Sequence, residues 1–80
     1  MTATSDRISI CLLPGDGIGP EVLDSAVKIL TQVARSAEIE ITLRRAAVGG
    51  DAIDRHGLPL PEETLAACRA SDAILLGAVG

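Results

Sequence analysis

A short apolar run, Ile8-Ser9-Ile10-Cys11-Leu12-Leu13, is stopped by Pro14-Gly15, and Pro20-Glu21 soon afterwards opens a stretch with helical spacing. The run is partly β-branched and does not alternate, as expected of a strand covered on both faces. Three glycines and a proline between Pro14 and Gly19 make that stretch a loop. Pro20 suits the first helical turn, where its missing N–H costs nothing, and Glu21 complements the helix dipole there. Val22, Ala26, Ile29, Leu30, Val33 and Ala37 recur at helical spacing and are expected to form the core-facing stripe. Asp24 and Lys28 are expected to pair at i,i+4 on the opposite arc.

Further on, Ile39, Ile41 and Leu43 alternate with Glu40, Thr42 and Arg44, the period-two pattern of a half-exposed strand ending at Gly49-Gly50. Asp51 to Gly57 is read as one helical turn, and Leu58-Pro59-Leu60-Pro61 as extended, because proline restricts the residue before it. Pro61-Glu62-Glu63 starts a second helix, which Ser71-Asp72 ends. Ala73-Ile74-Leu75-Leu76 is another buried strand, and Gly77-Ala78-Val79-Gly80 is expected to begin a loop. Met1 to Asp6 read as a frayed start. Strand, helix, strand, helix, strand is the order of an α/β protein with a mostly parallel sheet. The last apolar strand has no following helix to cover it, so the expectation is the beginning of a larger domain.

The composition narrows function. The chain has 80 residues, 48% of them hydrophobic, yet no Phe, Trp or Tyr. The core must be aliphatic, and an aromatic stacking platform for single-stranded nucleic acid is excluded. A net charge of −4 without a basic cluster gives no electrostatic support for binding nucleic acid or an anionic membrane. Apolar runs fall far short of the roughly 20 residues of a membrane span, and MTATSDRISI lacks the layout of a signal peptide. Cys11 and Cys68 stand apart with no metal-ligand spacing and read as two reduced, buried small hydrophobes. All of this is expected of a cytoplasmic protein.

Few residues invite a chemical role. The Gly15-x-Gly17-x-Gly19 spacing departs from the dinucleotide fingerprint G-x-G-x-x-G, Pro20 removes an N–H donor, and Leu43-Arg44-Arg45 stands where a ribose-binding acid would be wanted. Arg44 and Arg45 cannot share a face of an alternating strand and read as solvated surface. His56 has no partner in view and reads as a loop residue. Asp51, Asp54, Glu62 and Glu63 are explained by helix starts and solvation, and Asp16 by bonds to loop amides.

Taken whole, Pro14-Gly15-Asp16-Gly17-Ile18-Gly19-Pro20-Glu21 resembles the opening motif of the β-decarboxylating dehydrogenases. Gly49-Gly50-Asp51-Ala52-Ile53-Asp54-Arg55-His56-Gly57-Leu58-Pro59-Leu60-Pro61 resembles the isopropylmalate branch, and Ser71 to Gly80 is similar to the strand and turn before that branch's cofactor loop. The motifs come in the family's order and cover nearly the whole chain from Ile8. The resemblance implies that residues 1–80 are the N-terminal part of a single domain of that three-layer fold, incomplete at the C-terminus. It implies NAD-dependent oxidation and decarboxylation of 3-isopropylmalate to 2-oxoisocaproate in leucine biosynthesis, with Mg²⁺ or Mn²⁺ and in a homodimer. By motif position, Ile18 would lie near the nicotinamide; Val79 and Gly80 would begin the cofactor loop, positioned by Gly77 and Ala78. The family's catalytic tyrosine and lysine, substrate-clamping arginines and metal-binding aspartates fall beyond these residues, so the chain alone is expected to be inactive. A sister dehydrogenase for another 2-hydroxy acid, and a stand-alone nucleotide- or partner-binding module, remain as alternatives. The absence of aromatics departs from the family's usual composition.

Overall fold

A computed structural model describes residues 7–79; Met1 to Asp6 and Gly80, and with them the frayed start and one cofactor position, lie outside the described residues. The elements are β1 (Arg7–Gly15), α1 (Gly19–Ser36), β2 (Glu40–Arg45), α2 (Gly49–His56), α3 (Glu62–Arg69) and β3 (Ala73–Ala78). They form the expected α/β unit, a sheet of three parallel strands in the order β2-β1-β3. The central place of β1 explains the continuous apolar stretch from Ile10 to Leu13. Ile10 and Leu12 face one side, packed with Leu23, Val27 and Leu30 of α1, while Cys11 and Leu13 face the other, packed with Ala67 of α3. Asp72 ties the start of β3 to β1 twice: its carboxylate accepts the Ser9 N–H at 2.8 Å, and its own N–H donates to the Ser9 carbonyl at 2.7 Å.

Several expectations need correction. The strand β1 runs on through Pro14 to Gly15, because pairing with β3 continues to Gly15↔Ala78. Pairing with β2 stops at Leu12↔Arg45, so the N–H that Pro14 lacks is not missed on that side. Likewise, Gly77 and Ala78 belong to β3 rather than to the loop expected after Leu76.

In α1 the core-facing stripe is Leu23 and Ala34, buried, with Val27 and the expected Leu30 partly buried against the same core. Val22, Ile29 and Val33 are instead 49%, 63% and 58% exposed. Both sets keep helical spacing, and they lie about 100° apart on the helix, so periodicity alone could not choose between them. Asp24 pairs not with Lys28 but with Arg45 of β2, at 3.1 Å. The segment after β2 is a two-turn helix from Gly49, capped at its far end by Gly57 at φ +80°, and His56 is its last residue rather than part of a loop. There Arg55 supplies a positive charge in the last turn, favourable to the dipole.

Candidate functional site

The strand order creates a switch point between β1 and β3. From β1 the chain goes first to β2 on one side, then crosses to β3 on the other. The helices lie on opposite faces there, the arrangement that marks the carboxyl ends of strands as ligand sites in open α/β sheets. Gly15, Ala78 and the turn Asp16-Gly17-Ile18 stand at that end.

Asp16 organises it. Its N–H donates to the Ala78 carbonyl at 2.8 Å, and its own carbonyl accepts the Gly19 N–H at 2.8 Å. Its carboxylate accepts the Gly50 N–H at 2.8 Å on Oδ2 and the Asp51 N–H at 2.7 Å on Oδ1. Those N–H groups belong to the first turn of α2, whose own N-cap residue, Val48, provides no side-chain cap. Asp16 is thus a cap supplied from 34 residues away. The expectation that it bonds loop amides is corrected: its carboxylate accepts from amides of the helix α2. Gly49 accommodates the arrangement: at φ +72°, a Cβ there would stand 2.6 Å from Asp16 Oδ2.

The glycines of the turn pack against backbone and leave no hollow there for a ligand. A Cβ on Gly19 would meet the Pro14 carbonyl oxygen at 2.0 Å, and one on Gly77 would meet the Gly19 and Pro14 oxygens at 2.5 Å each. They let the start of α1 press against the ends of β1 and β3. That helix start is a poor phosphate cradle. Pro20 has no N–H, and the N–H groups of Gly19 and Val22 are spent on the Asp16 and Ile18 carbonyls, in keeping with the departed fingerprint.

Above this packed floor, Ile18 is 68% and Val79 52% exposed; Gly77 and Ala78 are half-buried in β3 beneath them. Exposed aliphatic side chains at a switch point offer an apolar contact to a flat ring. Among the described residues, no group of three or more His, Cys, Asp or Glu stands together as a divalent metal site would require.

A cleft of about 630 Å³ opens at the neighbouring carboxyl end of β1 and β2, bordered by Pro14, Gly15, Arg44, Arg55, His56 and Thr64. Neither Ile18 nor Val79 lines it. Its charges are mixed, and Arg55 is already paired with Asp51 at 3.1 Å. Arg44 and Arg45 part as the alternation requires, Arg45 toward α1 and Arg44 beside Cys11. No single sequence motif announces this cleft, because its lining comes from five separated segments.

The comparisons with known proteins agree with the fold. Residues 9–80 match the family described as isocitrate/isopropylmalate dehydrogenase. Curated relatives include 3-isopropylmalate dehydrogenase from Bacillus licheniformis, 63% identical over 71 residues, which are 89% of this chain and 19% of that protein. The enzyme of the same name from Bacillus subtilis is 61% identical over 71 residues, 89% of this chain and 20% of that protein. The chain thus spans about a fifth of the length of these relatives. Among solved structures, a β-decarboxylating dehydrogenase from Thermococcus kodakarensis superposes with a TM-score of 0.77 at 38% identity, covering 91% of this chain and 21% of that one. An isocitrate dehydrogenase from Methylococcus capsulatus gives 0.69 at 36% identity, covering 84% of this chain and 19% of that one. No helix among the described residues is long and apolar enough to cross a membrane.

Proposed function

The chain belongs to the isocitrate/isopropylmalate dehydrogenase family, and from that premise we propose that it is the N-terminal segment of an NAD-dependent 3-isopropylmalate dehydrogenase. One observation carries the reading. Three motifs far apart in sequence, the Pro14–Glu21 turn, the Gly49-Gly50-Asp51 helix start and the Gly77-Ala78 strand end, are bound to one another through Asp16 at the switch point. The isopropylmalate branch is favoured over its sisters by the names and identities of the curated relatives.

In this reading NAD supplies the hydride acceptor. The exposed side chain of Ile18 would pack on the nicotinamide end and keep water from it, and Val79 would begin the loop that runs along the cofactor. Gly77 and Ala78 would position that loop from the end of β3, and Asp16 fixes that end against α1 and α2. The residues present do not fit a divalent ion, so no step through Mg²⁺ or Mn²⁺ is assigned to them. Substrate clamping, proton transfer and the homodimer belong to the parts of the longer relatives that these residues do not span. The proposed setting is cytoplasmic.

The test is a graft. This chain replaces the matching first fifth of the Bacillus subtilis enzyme, and NADH formation is followed with 3-isopropylmalate, NAD and Mg²⁺. The expected result is turnover by the graft and none by the chain alone. In the graft, Ile18→Ala should raise the Kd for NAD by about tenfold, since burying such a side chain contributes about 1–3 kcal/mol. A folded graft without turnover, or turnover by the chain alone, overturns the proposal. An unchanged Kd removes Ile18 from the cofactor site.

A further inference from the structure

Cys11 and Cys68 are 57 residues apart in sequence, with nothing between them that links the two. The fold brings them together. Cys11, at the centre of β1, is fully buried, and Cys68, in the last turn of α3, is half-buried, with the two Sγ atoms 3.9 Å apart. Ala67 and Leu13 pack around the pair. A disulfide needs about 2.05 Å between sulfurs, so the two thiols must approach by only about 1.9 Å. Side-chain rotation with a small shift of α3 supplies that. The helix is eight residues long and is tied to the neighbouring segment by the Thr64 hydroxyl, which donates to the Ala47 carbonyl at 2.6 Å; neither restraint lies between the sulfurs.

We propose that Cys11 and Cys68 form an oxidisable dithiol, a modification site that closes to an intramolecular disulfide in the presence of a peroxide. The half-buried Cys68 reacts first. Its sulfur, as thiolate, attacks one peroxide oxygen, the O–O bond breaks, and Cys68 becomes a sulfenic acid while water is released. The Cys11 sulfur then attacks the Cys68 sulfur, the S–O bond breaks, and the hydroxide that leaves takes up the Cys11 proton as a second water. In balance, two thiols and hydrogen peroxide give one disulfide and two waters. The order follows from the surroundings. Burial, and then the hydrogen bond and charge of Cys68, push the Cys11 thiol above its ordinary 9.0, while Arg44 works against them. Cys11 is therefore the weaker first nucleophile and the natural resolving partner.

The full chain, held dilute, is treated with hydrogen peroxide, digested with trypsin without reductant and weighed. The expected product is the peptide 8–28 joined to 56–69, about 2 Da lighter than the sum of the two, absent after dithiothreitol, with both thiols lost to a maleimide together. In Cys11→Ala the sulfenic acid of Cys68 should persist and be trapped by dimedone; in Cys68→Ser, Cys11 should stay reduced at the same dose. Because Cys11→Ala alters the core, the Cys68→Ser arm and the unmutated chain decide the matter if it fails to fold. Covalent dimers, a Cys68 that passes to sulfinic acid while Cys11 stays free, or both thiols intact at a dose that oxidises Cys68 in Cys11→Ala would each overturn the proposal.

Discussion

A carboxylate that caps a helix from another part of the chain does more than a local cap, because it ends one element and positions a second. Asp16 does this for α2 while its backbone holds β3. Charge-assisted bonds to a helix start are stronger than neutral ones, and their loss exposes two first-turn amides. Asp16→Ala should therefore lower unfolding stability in urea by about 1–3 kcal/mol. Asp16→Asn should retain part of the loss, since one of its terminal atoms cannot accept. Amide exchange at Gly50 and Asp51 should quicken in both, well beyond exchange in α1. An unchanged urea midpoint would mean that α2 does not depend on this cap.

In α1 the element presents two aliphatic stripes and uses one. Leu23 is 1% exposed and Ile29 63%, although both are large apolar residues on the same amphipathic helix. Removing the buried side chain leaves a cavity as well as losing transfer energy, so Leu23→Ala should cost about 2–5 kcal/mol. Ile29→Ala should stay within about 0.5 kcal/mol, with alanine's better helix propensity offsetting any lost contact. Thermal melts of the two variants side by side check this; equal costs would mean that the outer stripe is covered.

At the scale of the whole molecule, that outer stripe joins other uncovered apolar surface. Leu75 of β3 is packed beneath α1, but Ile74 and Leu76 on the opposite face are 53% and 51% exposed. The far edge of β3 pairs with no strand among the described residues, and an open edge beside an apolar face recruits other chains. Only four net negative charges oppose that. The chain expressed alone should accordingly self-associate. Size-exclusion chromatography with light scattering should give a mass well above 8.2 kDa at micromolar concentration. A monodisperse monomer with a well-dispersed amide spectrum would show that these faces are tolerated in water.

What the sequence determined by itself is the part written in local chemistry. The non-alternating apolar run of β1 announced cover on both faces, the alternation of β2 an edge exposed on one, and Pro20 and Pro61 the starts of α1 and α3. The motif chain from Pro14 to Gly80 likewise sufficed to indicate the family. Tertiary structure decided the rest, in each case because the deciding partner was distant. Which stripe of α1 is core depended on where the sheet lay, and whether Asp24 meets Lys28 or Arg45 depended on β2. The helix α2 begins at a glycine pair because a carboxylate 34 residues earlier satisfies its amides. Strand β1 continues through a proline because β3 pairs with one side of it alone. The meeting of Cys11 and Cys68 had no local signal, since it needed a strand interior and a helix end to share one face of the sheet.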